Sequence, residues 1–133
     1  MTPRRDPTDH VDRLRTLLDA DSFFSPINSV RRRTIVRYLA RLEPTATTTS
    51  RELAWLCAAV EGDQPIEEVS DASFRRLLQG LRQRDLTRLS LADVVERTTN
   101  DTISRGSSFE RYATILRTID AVQVNRLNQS SPR

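Results

Sequence analysis

Residues 81–106 run LRQRDLTRLSLADVVERTTNDTISRG, and no other part of the chain constrains its architecture as tightly. Leu81, Leu86 and Leu89 can form the buried side of a short helix. Val94-Val95 opens a strand, Thr98-Thr99-Asn100-Asp101 supplies a turn, and Thr102-Ile103-Ser104 is a second strand. Arg82, Arg84, Arg88, Arg97 and Arg105 are spread along this helix and two-stranded ribbon. A helix and ribbon lined with arginine fit a nucleic-acid groove, although a helix followed by a hairpin occurs in many folds.

Upstream, Ser70 or Asp71 starts the helix, and Phe74, Leu77, Leu78 and Leu81 hold one face. Continued ideally, that helix places Leu86 and Leu89 well off the face. It must therefore bend, or end and restart, near Gly80 or Arg84-Asp85. Before it, Thr49-Ser50-Arg51-Glu52 is a capping box opening a helix to Val60, with Leu53, Trp55, Leu56 and Val60 apolar. Gly62-Asp63-Gln64-Pro65 breaks it, and Ile66–Val69 reads as one helical turn at most. Another helix runs from Asn28 or Ser29 to about Arg41, with Ile35, Val36, Leu39 and Leu42 as its stripe and Pro44 as its stop. Near the start, Asp6-Pro7-Thr8-Asp9 is a good helix opening, followed by Val11, Leu14, Leu17 and Leu18 on one face. After the ribbon, Ser107 with Glu110 offers a second capping box. The long helix beyond it carries Phe109, Tyr112, Leu116 and Ile119, flanked by Ile115 and Val122, and frays from Asn128.

These elements predict a mainly α fold of five helices and one two-stranded wing. Phe24, Val36, Leu39, Leu53, Leu56, Phe74, Leu78, Leu89 and Ile103 are expected in the core. The expected division is an N-terminal tail and amphipathic helix over 1–24, a compact domain over 25–106, and a C-terminal helix and tail over 107–133.

The 133 residues suffice for one domain with one core. No apolar run approaches the roughly 18–20 residues that span a bilayer. MTPRRDPTDH is not followed by the apolar stretch of a signal peptide, so a soluble, cytoplasmic protein is expected. All 21 basic residues are arginine, and 18 carboxylates leave a net charge of only +3. Codon bias of a GC-rich genome explains an arginine-only chain, and so does phosphate recognition, which favours the planar guanidinium. Between Arg75 and Arg117, nine arginines face five carboxylates, and that surplus of +4 exceeds the whole-chain value. The single Cys57, in the apolar AWLCAAV, reads as a buried inert thiol. With the single His10 it cannot build a zinc site. No nucleophile, base and orienter can be assembled, and three scattered glycines make no phosphate-cradling loop. An enzyme, a metal, a cofactor and a small-molecule ligand are therefore not expected.

The order helix, helix, helix, hairpin, helix resembles winged-helix regulators of the ArsR and MarR type. NSVRRRTIVRYLARL looks like the opening helix of a group of small haloarchaeal winged-helix proteins, with Arg32-Arg33 and Tyr38-Leu39 in matching places. SRELAWLCAAVEG resembles their second helix, LTRLSLADVVE their recognition-helix exit, and NDTISRG the wing's return strand. The resemblance covers about residues 22–125. Thr87 stands where those proteins carry proline, and Asp93 where they carry glycine. It implies an archaeal, winged helix-turn-helix, DNA-binding transcription regulator.

Candidate DNA contacts follow from residue chemistry. Arginine can bridge guanine O6 and N7, and glutamine can pair with adenine N6 and N7. Gln83 and Thr87 face outward in either register, with Arg84 at the boundary; Arg76, Gln79 and Arg82 join them if the helix is continuous. Arg88, Arg97 and Arg105 extend the basic surface; a solvated helix face and edge-strand protection are the rival readings. Arg31, Arg32 and Arg33 oppose the dipole at a helix start, so either an intramolecular carboxylate or a DNA phosphate should offset them. Tyr112, Leu116, Ile119 and Val122, with Leu14 and Leu18, are expected to form a homodimer interface; folding back onto the chain's own core is the alternative. A dimer binding double-stranded DNA is the leading expectation. A protein-interaction module and a small RNA-binding factor are its rivals.

Overall fold

The computed structural model describes residues 25–130, the side chains of 125–130 excepted. The expected first helix, with Leu14 and Leu18, and the expected core residue Phe24 lie outside the described residues.

The described chain is mainly helical, with a small three-stranded antiparallel sheet. A 3-10 turn, Ser25–Ile27, leads into α1, Val30–Arg41. Ser29 caps α1 from an extended backbone, its hydroxyl accepting from Arg32 N at 3.0 Å. β1 is only Thr48–Thr49, and α2 spans Ser50–Glu61 behind the Thr49 cap. A second 3-10 turn, Ile66–Glu68, precedes α3, Asp71–Gly80, which Ser70 caps. A π-helical turn, Leu81–Asp85, then passes into α4, Leu86–Leu91. β2, Val95–Arg97, and β3, Thr102–Arg105, form the hairpin, and α5 runs Phe109–Ser130.

The sheet order is β1-β3-β2. Val95 pairs with Arg105 and Arg97 with Ile103, and on the other side of β3 Thr48 pairs with Ile103. The ribbon expected from sequence is thus flanked by a third strand. A two-residue segment inside a threonine-rich run has no alternation that would have marked it. Ile103, at the centre, is fully buried. The first hairpin strand begins one residue later than expected, at Val95, and Asp93 before it adopts φ 60. That left-handed conformation is the one glycine supplies without steric cost.

Ile35, Val36 and Leu39 of α1, Leu53, Ala54 and Cys57 of α2, and Phe74, Leu77 and Leu78 of α3 form the core with Val94, Val95 and Ile103. Phe109, Tyr112, Ala113 and Leu116 of α5 belong to the same core. Leu56, expected inside, is only partly buried. Trp55 stacks on Phe74 with ring centroids 4.1 Å apart, an offset pair that joins α2 to α3.

The two capping boxes differ from expectation. Thr49 accepts from Glu52 N at 3.1 Å, but the Glu52 carboxylate turns to the Thr48 and Tyr38 hydroxyls, each donating at 2.7 Å. Those two bonds, Thr48's first, hold Glu52 below the usual carboxylate range. Glu110 likewise binds Arg105 at 2.9 Å, and α5 begins at Phe109. Each carboxylate instead bonds side-chain donors, two hydroxyls for Glu52 and the Arg105 guanidinium for Glu110.

Candidate nucleic-acid interface

The helix after Ser70 does not stop at Gly80 or Arg84-Asp85. Gly80, Leu81, Asp85 and Leu86 all keep right-handed helical dihedrals, so α3, the π turn and α4 form one continuous rod. Within the turn, Leu86 N–H donates to the Leu81 carbonyl, five residues back instead of four. One extra residue is thereby absorbed, which turns everything beyond it by about 100°. Leu86 and Leu89 return to the core face, both fully buried. This resolves the mismatch between the two leucine stripes.

The same shift buries Asp85, only 6% exposed. Its carboxylate meets Arg31 Nη1 at 3.2 Å and Arg32 Nη1 at 3.1 Å, both from the first turn of α1. Arg31 also grips Glu61 through Nε and Nη2, at 2.8 and 2.9 Å. Glu61's hydrogen bond outweighs partial burial and holds the Arg31 guanidinium more firmly protonated than usual. Arg32 also donates through Nε to the Pro26 carbonyl and through Nη2 to the Ser25 carbonyl, each at 3.0 Å. An intramolecular carboxylate therefore offsets the cations at the start of α1. Arg33 is satisfied by the Ile27 carbonyl at 3.1 Å.

Arg82 is also tied down. Its Nε donates to Ser50 Oγ at 2.8 Å, and its Nη2 lies 3.4 Å from Asp101. Ser50, fully buried, donates to the same Asp101 carboxylate at 2.7 Å. Asp101 sits in the hairpin turn at φ 62, so this network fastens the ribbon tip to the start of α2 and to the rod. Arg97 Nη1 reaches the Arg82 carbonyl at 3.4 Å, a second link from ribbon to rod.

Arg105 points inward, its side chain only 14% exposed. Nη2 donates to the carbonyls of Leu39 and Leu42, at 3.0 and 2.9 Å, and Nη1 pairs with Glu110. The guanidinium lies 4.6 Å from the Phe109 ring centroid. Arg105 thus adds donors at the C-terminus of α1, where the Leu39 carbonyl also accepts from Leu42 N–H at 3.1 Å. Its placement among the phosphate contacts is corrected to this one.

Arg76, Gln83, Arg84, Thr87 and Arg88 remain exposed on the rod, and Arg97 on the ribbon beside it. Thr87 Oγ1 donates to the Arg82 carbonyl at 3.4 Å, and Arg88 Nη1 donates to Ser25 Oγ at 2.9 Å. Among the described residues, the side chains of Gln83 and Arg84 have no hydrogen-bond partner. Arg75 adds a further exposed cation, while on the exposed side of the rod only Asp71 is acidic. Asp85, Ser50 and Asp101 were not singled out from sequence. A lone carboxylate between two leucine stripes was the available signal for Asp85.

The expected dimer residues divide. Tyr112 and Leu116 are buried in the chain's own core, which corrects their assignment to an intermolecular face. Ile119 and Val122 stay 40% and 50% exposed, and Val124 beside them 55%. Arg37 of α1 clamps this region through Asp120 at 2.7 Å. Cys57 is buried, and burial pushes its thiol up to about 12. Among the described residues no helix is long and apolar enough to cross a membrane, and no cluster of His, Cys, Asp and Glu could hold a metal ion.

Comparisons with known protein families, with characterised proteins and with solved structures find no match to this chain.

Proposed function

We propose that the chain is a winged-helix transcription regulator that binds duplex DNA as a homodimer. The rod from Asp71 to Leu91 would serve as recognition helix in the major groove, and the β2–β3 hairpin as the wing. The observation that carries this reading is the pair Gln83 and Arg84, without hydrogen-bond partners among the described residues, at the middle of a rod whose exposed charged residues are all arginine except Asp71. Both have the hydrogen-bonding pattern that reads base edges. Arg76, Thr87 and Arg88 flank them along the rod, and Arg97 approaches from the wing, as phosphate contacts. Arg31, Arg32, Arg82 and Arg105 instead hold the elements in place. Among the described residues of α5, Ile119, Val122 and Val124 are left to join two copies, together with the expected Leu14 and Leu18, which would present two rods to a two-fold symmetric site.

Fluorescence anisotropy with labelled duplexes tests the reading, with selection from random DNA supplying the preferred site. Affinity should fall as salt rises, by about 0.9 log unit per log unit of salt for each phosphate neutralised. Arg97→Ala should weaken all duplexes alike and flatten that slope by about one unit. Gln83→Ala should instead relax discrimination by about 1–3 kcal/mol. A folded protein that binds no duplex at low salt, and enriches nothing from random DNA, would refute it. The rival of a protein-interaction module has one observation in its favour: Leu91, at the end of the rod, is 81% exposed.

A further inference from the structure

The π turn Leu81–Asp85 needs a reason. Suppose one of its residues were absent. Leu86 and Leu89 would then follow Leu81 by four and seven residues and continue the face of Phe74, Leu77, Leu78 and Leu81 in an uninterrupted α-helix. Core packing alone therefore does not require the extra residue. The turn does change the outer side. From Phe74 onward, exposed residues on the rod come singly or in pairs, except here, where Arg82, Gln83 and Arg84 are exposed in succession before Asp85 and Leu86 are buried in succession.

We propose that this π turn is a specificity-determining element of the rod: its extra residue sets Gln83 and Arg84 side by side as readers, and Asp85 is the positioning residue that holds it. The inference rests on the DNA-binding reading above. Several contacts converge on the widened turn. Asp85 anchors one end to Arg31 and Arg32 of α1. Arg82 anchors the other to Ser50 and Asp101. The Arg82 carbonyl, inside the turn, accepts from Thr87 Oγ1 and from Arg97 Nη1. Gln83 and Arg84, between these anchors, are left without partners among the described residues. A site that must hold two readers in fixed geometry is built this way, with supporting residues locking the turn and the readers left free for the ligand. π turns inside α-helices concentrate at functional sites.

Two variants of the full chain separate the turn from the side chain it carries. Arg84→Ala removes the guanidinium and keeps the turn. Deletion of Arg84 removes the guanidinium and the extra residue together. Urea melts and the affinity ratio between the selected duplex and a scrambled duplex are measured for both. The deletion should fold, with a midpoint at or above that of Arg84→Ala. It should lose about tenfold or more discrimination beyond Arg84→Ala, the scale of one base contact. Equal discrimination in the two variants would overturn the proposal. So would a deletion variant that fails to fold, because the turn would then serve the core. Loss of duplex binding already in the unaltered protein would remove the DNA-binding reading and this role with it, and is told apart by appearing before any variant is made.

Discussion

Gly106 lies where the chain leaves the hairpin for α5, and replacing it with alanine should be the most damaging single-methyl change in the described protein. An alanine Cβ there would sit 2.3 Å from the Asp93 carbonyl oxygen and 2.7 Å from the Asp93 carbonyl carbon. Ordinary carbon–oxygen contacts begin near about 3.3 Å, so the two backbones must part by about 1 Å. They are joined by Gly106 N–H to the Val94 carbonyl and Ser108 N–H to the Asp93 carbonyl, both at 2.8 Å. A parting of that size breaks both bonds. Overpacking costs about 1–3 kcal/mol and each lost bond about 0.5–1.5 kcal/mol, so Gly106→Ala should cost about 4 kcal/mol in all. With a urea dependence of about 1.5 kcal/mol per molar, the midpoint falls by roughly 2–3 M at unchanged slope. Gly62→Ala is the control. Its Cβ meets the movable Gln64 amide at 2.9 Å and the Ala58 carbonyl oxygen at 3.1 Å, a far smaller overlap with backbone, at φ −89, which alanine adopts freely. It should cost less than about 1 kcal/mol, in the range of an ordinary surface change. If Gly106→Ala melts within about 1 kcal/mol of the parent chain, the close crossing of Asp93 and Gly106 does not exist as described and the argument fails.

Arg105→Ala should destabilise by about 3 kcal/mol, because it strips donors from the carbonyls ending α1; Arg97→Ala should leave the melt nearly unchanged, and equal stabilities would contradict the inward placement of Arg105. Glu52 is held below its usual value of 4.5 by the hydroxyls of Thr48 and Tyr38. A lowered folded-state value means its stabilisation is complete above pH 4.5 and is lost as pH falls through the folded-state value. The Tm gap between the parent chain and Glu52→Gln should therefore shrink below that pH; a gap constant from neutral to strongly acid pH would refute the assignment. Cys57, buried and with its thiol pushed up to about 12, should resist maleimide in the folded chain at pH 7.5 and react fully in denaturant. Rapid native labelling would show that α2 does not pack as described.

Local signals were enough to place α1, α2, the α3–α4 rod and α5, the caps at Thr49 and Ser70, the hairpin and most of the core. Helical periodicity and capping depend on neighbours within one turn, so they are written in the order of residues. The mismatch of the Leu77–Leu81 and Leu86–Leu89 stripes was also legible, but its resolution was not. A bend, a break and a one-residue bulge all satisfy the same pattern. The bulge sets Leu86 and Leu89 in the core and Asp85 against Arg31 and Arg32 of α1, and those partners are brought there only by the tertiary fold. β1 was invisible because two threonines become a strand only when β3 is beside them. The fates of the arginines were the least legible of all. Twenty-one identical cations carry no local mark of whether a guanidinium will cap a helix, as Arg105 does, grip a buried carboxylate, as Arg31 and Arg32 do, or stay exposed, as Arg84 does. That choice depends on which carbonyls and carboxylates the tertiary fold brings within about 3 Å, the range over which a charge-assisted hydrogen bond forms.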